Sequence, residues 1–175
     1  MDRALGELLP VVNRQDQELG LEHRSRIHEL NLMHRTVHVL VFDHKGRVYL
    51  QLRSQEKDTY PGFWTSSASG HVEPGETYLY AAYRELREEL YLVEPCISLG
   101  KLSPQPASDN AFISLYAVFA RMSPQPDFSE IEDGRFFNYH EAWQLARNKQ
   151  LAVPALKLVL AIAGQRGCFQ RNYLR

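Results

Sequence analysis

The sequence has only two cysteines, a net charge close to zero and no long apolar run, and each absence argues against a class of protein. Cys96 and Cys168 stand far apart, with neither a CxxC pair nor a Cys/His spacing beside them, so a zinc site or a disulfide framework is not expected. The formal net charge of -1 gives no field that would draw the chain to nucleic acid or to an anionic membrane. We therefore expect neither partner.

Targeting signals are missing as well. Nowhere do about 18 apolar residues follow one another, and residues 1–20 lack a basic start followed by an apolar run. We therefore expect a cytoplasmic protein that does not span a membrane. The 175 residues suffice for one core, which predicts a single domain over 1–175 with an N-terminal extension at about 1–33 that holds a short strand.

Hydrophobic periodicity predicts strands and helices that alternate irregularly. The predicted strands cover 8–12, which a turn over 13–20 follows, and then 34–42, 47–53, 111–120 and 134–139. The predicted helices cover 77–90, 139–148 and 154–164. This order is typical of an α/β fold in which helices cover a mixed β-sheet. The last helix is apolar nearly all round, so it packs either on its own sheet or on a second copy of the chain, as in a homodimer.

The helix over 77–90 carries three acids near its C-terminal end. Glu85, Glu88 and Glu89 are spaced i, i+3 and i+4 and therefore project to one side, next to an apolar stripe. That stripe is predicted to consist of Leu79, Ala82, Leu86 and Leu90, with Tyr83 at its margin. Like charges at i, i+4 cost a few tenths of a kcal/mol, and acids at this end oppose the helix dipole.

Two explanations of these acids remain open. In the first, Arg84 and Arg87 pair with them on an ordinary solvated face. In the second, they hold a hard cation such as Mg²⁺, which prefers carboxylate and phosphate oxygens. The preceding GHVEPGE, a tight loop that brings backbone groups close to the helix, favours the cation.

The whole stretch resembles the Nudix box, G-x5-E-x7-R-E-U-x-E-E-x-G-U, in which U is a bulky aliphatic residue. The match covers 70–92 and departs from the pattern only at Tyr91, which stands where the family has glycine. The matching residues are Gly70, Glu76, Arg84, Glu85, Leu86, Glu88, Glu89 and Leu92. Glycine ends such a helix in a left-handed conformation that strains tyrosine, so we expect an altered helix end with intact metal ligands.

The resemblance implies an α/β/α sandwich that hydrolyses a diphosphate linkage in a small molecule, here a nucleoside diphosphate linked to another group. It implies Mg²⁺, or alternatively Mn²⁺, held by Glu85, Glu88, Glu89 and the carbonyl of Gly70, and these three glutamates as the catalytic residues. We assign the role of proton acceptor to Glu85. The pair Glu76 and Arg84 would brace the loop against the helix, and Glu130, with Glu132 in reserve, would be a further acid from outside the box.

Beyond the box, HRTVHVLVFDHKGRVYLQLRS and KDTYPGFWTSSASGH resemble the Nudix branch that includes isopentenyl diphosphate isomerase. His34 and His71 stand where that enzyme has metal-binding histidines, and Arg53 and Lys57 match residues that bind its diphosphate. However, Ser69 replaces its catalytic cysteine, and a hydroxyl has a far higher pKa than a thiol. The strand AFISLYAVF also lacks the two acids of the isomerase. Hydrolysis is therefore preferred over isomerisation.

Histidines admit a simpler interpretation. A histidine on a strand or beside a tight loop is commonly a hydrogen-bonded structural residue, so His34 and His71 are not counted among the metal ligands. The other histidines, His28 among them, have no spacing that indicates more than surface or packing. A third hypothesis is a ligand-sensing module without turnover, which only Tyr91 favours.

Overall fold

A computed structural model describes residues 6–170, so both ends of the predicted domain at 1–175 lie outside the described residues. The strands are β1 (Leu8–Val12), β2 (Glu18–His23), β3 (His34–Phe42), β4 (Val48–Arg53), β5 (Trp64–Thr65), β6 (Ala68–His71), β7 (Ile97–Leu102), β8 (Ala111–Phe119) and β9 (Ile131–Phe137). The helices are α1 (Arg24–Glu29), α2 (Tyr78–Leu90), α3 (Tyr139–Arg147) and α4 (Pro154–Gln165). Within this part of the chain no helix has the length and apolar character needed to cross a membrane.

A mixed sheet lies in the middle of the molecule, as predicted. β3 and β8 pair in parallel along their whole length, from His34 opposite Ala111 to Phe42 opposite Phe119. The sheet order is β5-β4-β3-β8-β7, with β6 beside β3 and β9 beside β4, and these further pairs are antiparallel. β1 and β2 form a separate two-stranded sheet.

Helices cover both faces of the sheet, because successive side chains of each strand point to opposite sides. On one face Leu40 of β3 is buried with Leu156 and Leu160 of α4. On the other face Val39 is buried with Leu86 of α2. The predicted α/β/α sandwich is thus confirmed, and of the two alternatives for the last helix the structure shows packing on its own sheet.

The buried face of α2 differs from the predicted stripe. Leu79 is 43% exposed and Tyr83 is 38% exposed, whereas Ala81 and Glu89 are buried. Because each residue turns the helix by about 100°, Glu89 falls beside Ala82 on the buried face, whereas the exposed Leu79 lies in the first turn of the helix. The prediction was therefore wrong in placing Glu89 at the border between core and solvent, since this glutamate lies inside the face that packs on the sheet.

The end of α2 also corrects a prediction. Tyr91 has φ 51° and ψ 31°, the left-handed conformation that glycine adopts in the family pattern. Its N–H donates to the carbonyl of Arg87, and the N–H of Leu92 donates to the carbonyl of Leu86. The helix end is therefore the ordinary one, and the strain falls on the tyrosine backbone instead.

The sequence patterns did not predict the short polar strands and the short helix α1. The turn predicted over 13–20 ends before Glu18, where β2 begins, and α1 follows with only Ile27 buried. β5, β6 and β7 were also not predicted, since two of them are very short and β7 contains a bulge near Gly100. The last strand was placed over 134–139 and is observed at Ile131–Phe137.

β3 and β4 pair over only two positions and then diverge, and the candidate active site lies where the two strands separate. The hydroxyl of Ser67 bridges the two strands there, accepting from the N–H of Val41 at 2.7 Å and donating to the carbonyl of Tyr49. On either side of Ser67 the chain pairs first with β4, as β5, and then with β3, as β6. α2 crosses this region.

Candidate active site

The loop between β6 and α2 is fixed by the predicted pair of Glu76 and Arg84. Arg84 donates through Nε to Oε1 of Glu76 at 2.7 Å and through Nη2 to Oε2 at 2.9 Å. The same Nη2 donates to the carbonyl of His71 at 2.9 Å. Burial alone would raise the pKa of Glu76, but the hydrogen bonds from Arg84 and from the N–H of Glu73 bring it below its ordinary value. The contact thus ties the loop to the helix, in the manner predicted for a brace.

Glu85 lies directly against Gly70. Its side chain is 12% exposed, and Nη1 of Arg84 donates to its Oε1 at 2.7 Å. A Cβ added at Gly70 would lie 1.9 Å from that oxygen, so only glycine leaves room for the carboxylate. Burial, with the charge of Glu89 next in importance, raises the pKa of Glu85 to about 8.

Glu89 is the most deeply placed of the three acids, with 5% of the residue exposed. Its Oε2 accepts from Nε2 of Gln51 at 2.8 Å and from the N–H of Ser69 at 3.0 Å. Burial raises the pKa of Glu89, and the positive charge of Lys57 opposes that shift. Two buried carboxylates are thus neighbours, and without a cation their desolvation and mutual repulsion destabilise the charged forms.

Glu88 is positioned differently from its two neighbours. Its side chain is 55% exposed and accepts only a long contact of 3.4 Å from Arg84. Its carboxylate does not form, with those of Glu85 and Glu89, a group whose ligand atoms all lie within 4.8 Å of one another. The structure therefore places Glu85 against Gly70 and Glu89 at the N–H of Ser69, and holds Glu88 at the solvent side of the same helix.

These residues fit a hard divalent cation. Carboxylate and carbonyl oxygens are the donors that Mg²⁺ and Mn²⁺ accept, and the space at Gly70 admits a carboxylate against the backbone. Burial raises the pKa values of Glu85 and Glu89, so a bound cation would favour the charged forms of both carboxylates. Glu85, Glu89, the exposed Glu88 and the carbonyl of Gly70 are the residues that would hold the ion.

Arg53 and Lys57, the predicted diphosphate ligands, line a cleft of about 1240 Å³ that the three glutamates also line. Arg53 is held by the carbonyl of Thr59 at 3.0 Å and forms no ion pair with any residue in 6–170. Lys57 pairs with Glu130. Glu130 thus faces the cleft, whereas Glu132 accepts from Gln55 at 2.9 Å and is not among the residues that line it.

Three histidines meet in the same cleft, which the sequence patterns did not reveal. The ligand nitrogens of His28, His34 and His71 all lie within 4.8 Å of one another, and among residues 6–170 no other three or more potential metal ligands do so. Burial lowers the pKa of His34 to about 4 and that of His71 as well, so both rings are neutral. No sequence pattern placed His28 beside His34 and His71, because the unpredicted helix α1 carries it into the cluster.

Comparison with known proteins places this geometry in a family. The model of the NUDIX domain matches residues 32–159. An uncharacterised Nudix hydrolase of Pseudomonas aeruginosa is 29% identical over 158 residues, which cover 88% of this chain and 94% of the relative. An isopentenyl-diphosphate Delta-isomerase of Photorhabdus laumondii is 27% identical over 174 residues, covering 80% of this chain and 98% of the relative.

Among solved structures, the crystal structure of DR0079 from Deinococcus radiodurans has a TM-score of 0.80 and 24% sequence identity, covering 94% of this chain and 100% of that one. This likeness confirms the fold. The family match covers the mixed sheet, the box and α2, which carry the cleft described above. The chain therefore belongs to the NUDIX domain family, among its Nudix hydrolases.

Proposed function

We propose that the protein is a Mg²⁺-dependent hydrolase of a diphosphate linkage in a small molecule, with a nucleoside diphosphate joined to another group as the substrate class. The observation that carries this proposal is the pair of buried neighbouring carboxylates, Glu85 against Gly70 and Glu89 at the N–H of Ser69. Arg53 lines the same cleft and forms no ion pair with any carboxylate among the described residues. The acids of α2 would thus accept a divalent cation, and Arg53 would bind a phosphate oxygen.

A substrate diphosphate with a divalent cation supplies both. Bound Mg²⁺, or Mn²⁺ in its place, offsets charge on the phosphate oxygens and promotes the loss of a proton from water. Glu85, Glu88, Glu89 and the Gly70 carbonyl hold the ion. Arg53 and Lys57 hold the phosphates, Lys57 by exchanging its contact with Glu130 for a phosphate oxygen.

The protein's own groups then carry the reaction. Water attacks one phosphorus, the bond from that phosphorus to the bridging oxygen breaks, and two products form that each carry one phosphate group. Glu85 takes the proton of the attacking water, because its carboxylate is buried beside the cleft and close to the other acids. Glu130 is the candidate for a further acid, since it lines the cleft from outside α2. The cleft is large enough for a nucleotide with a second group attached.

A panel of substrates tests this proposal. Nucleotide sugars, dinucleotides, coenzyme A and nucleoside di- and triphosphates are incubated with Mg²⁺, and phosphate is measured after coupling to a phosphatase. We expect turnover of at least one compound with a diphosphate linkage. Turnover of none would refute the hydrolase, and binding without turnover would instead support the ligand-sensing module.

The histidine cluster favours a second candidate, an enzyme like isopentenyl diphosphate isomerase. His34 and His71 stand at that enzyme's histidine positions, and the structure adds His28 beside them. Two features oppose it, namely Ser69 at the position of the catalytic cysteine and the absence of acids from β8. Incubation with isopentenyl diphosphate distinguishes the two, because formation of the allylic isomer would overturn the hydrolase in favour of the isomerase.

A further inference from the structure

Gln51 is a polar side chain at a position where the strand pattern requires a core residue. In β4, Leu50 belongs to the core under α3 and α4, whereas Tyr49 belongs to the core under α2. Gln51 follows Tyr49 by two residues and so faces α2, with 2% of the residue exposed. A buried amide needs acceptors for its N–H groups, so the hydrogen-bond partner of Gln51 indicates the role of this residue.

That partner is Glu89. Nε2 of Gln51 and the N–H of Ser69 both donate to Oε2 of Glu89, at 2.8 Å and 3.0 Å. Oε1 of Glu89 accepts no hydrogen bond from any residue in 6–170, and Glu89 lines the cleft. The sheet therefore fixes one oxygen of the carboxylate and leaves the other one for the cleft.

The chemical nature of the donor matters as much as its place. Glu85 is paired with the cation Arg84, but Glu89 is held by two neutral donors, an amide and a backbone N–H. A lysine or arginine at position 51 would neutralise Glu89 and compete with a metal ion for it. A glutamine orients the carboxylate and leaves its negative charge available.

We infer that Gln51 is a positioning residue that orients the Glu89 carboxylate toward a divalent cation in the cleft, an inference that rests on the proposed function. Without the amide, only the N–H of Ser69 restrains the carboxylate, which is then free to turn about its last bond. Groups that hold a metal ligand in place typically change metal affinity or activity by 10- to 100-fold when they are removed. Gln51 is not among the residues that line the cleft, so substrate affinity is expected to change little.

Gln51→Met tests this inference, because methionine has a similar length and no donor. Mn²⁺ binding is measured by electron paramagnetic resonance without substrate, and kcat and KM are measured for a compound turned over by the wild type. We expect Mn²⁺ affinity and kcat to fall by about 10- to 100-fold, with KM for the substrate nearly unchanged. Gln144→Met on the exposed face of α3 makes the same chemical change far from the cleft and should leave all three quantities as in the wild type.

A double-mutant cycle separates positioning from a general loss of structure. If Gln51 acts through Glu89, Gln51→Met should add no further loss of Mn²⁺ affinity once Glu89→Gln is present. An equally large additional loss in that background would overturn the inference. If Gln51→Met does not fold, Gln51→Leu, which also lacks a donor and is smaller, takes its place with the same expected loss.

The outcomes distinguish this inference from the proposed function. A wild-type protein that binds Mn²⁺ and hydrolyses its substrate, with Gln51→Met unchanged in both, would overturn the role of Gln51 alone. A wild-type protein that binds no Mn²⁺ and hydrolyses nothing would overturn both. A fall in KM and kcat together, with Mn²⁺ affinity unaltered, would also contradict positioning of a metal ligand.

Discussion

Replacing Gly70 by alanine should remove most of the hydrolytic activity, because this glycine makes room for a carboxylate. The added Cβ would lie 1.9 Å from Oε1 and 2.3 Å from Cδ of Glu85, while contacts under 3.0 Å are essentially never seen for a real Cβ. The carboxylate must therefore move by about 1 Å, and a displacement of that size in a reacting group costs about 100-fold in rate. We expect kcat to fall by about that factor.

Stability should change much less than activity in this variant. Glu85 would lose part of its hydrogen bond to Arg84, and a hydrogen bond to a charged group contributes about 1.5–3 kcal/mol. Burial already disfavours the charged form of Glu85, as its raised pKa shows, so movement toward solvent offsets part of that loss.

The assay compares kcat, Mn²⁺ affinity and the thermal midpoint of Gly70→Ala with those of Gly6→Ala. A Cβ at Gly6 meets no atom within 4 Å, so this control should behave as the wild type. Retention of more than half of the wild-type rate by Gly70→Ala would refute the idea that the Glu85 carboxylate must lie against this backbone.

Three further predictions concern single residues. Glu89→Gln should abolish Mg²⁺-dependent hydrolysis with an unchanged circular dichroism spectrum, because an amide keeps the shape of the side chain without its charge. Tyr91→Gly should raise the free energy of unfolding in urea by about 1 kcal/mol, since φ 51° strains any residue except glycine. Burial, with Arg53 as a smaller cause, lowers the pKa of His38 from 6.5 to about 4. The folded state thus binds fewer protons than the unfolded state, and stability should fall by about 1.4 kcal/mol per pH unit between these two values as the pH falls. His38→Asn should reduce the slope in urea titrations by about that amount and leave the part that the buried His34 and His71 contribute.

Each of these predictions has a contrary outcome. Undiminished turnover by Glu89→Gln would remove Glu89 from the metal site. A less stable Tyr91→Gly would mean that contacts of the tyrosine ring outweigh its backbone strain. An unchanged pH dependence in His38→Asn would assign the loss of stability in acid to other buried groups.

The sequence alone predicted the structure correctly wherever the spacing of nearby residues determines it. Strand β3 follows from the alternation around Val37, Val39 and Val41, and the pairing of Glu76 with Arg84 follows from the box. What could not be predicted depends on contacts between distant segments. The buried Glu89 depends on a hydrogen bond from Gln51 of β4, and the residues of α2 alone do not predict that partner.

The histidine cluster illustrates the same limit. His28 lies on a short polar helix whose only buried residue is Ile27, so periodicity gives no signal for it. His34 and His71 were recognisable as a pair only through resemblance to the isomerase. Their meeting with His28 depends on how the N-terminal hairpin and α1 fold back on the sheet.

The parallel pairing of β3 with β8 has a consequence for the order in which the molecule forms. Thr36 and Phe112 are 76 residues apart and meet at the start of this pairing. Long-range closures of this kind are slow and are made late. On the ribosome, a nascent chain that ends before Ala111 has β3 without its inner neighbour. The core on which α2 packs, which includes Tyr116 and Val118 of β8, is therefore complete only after most of the polypeptide has been synthesised.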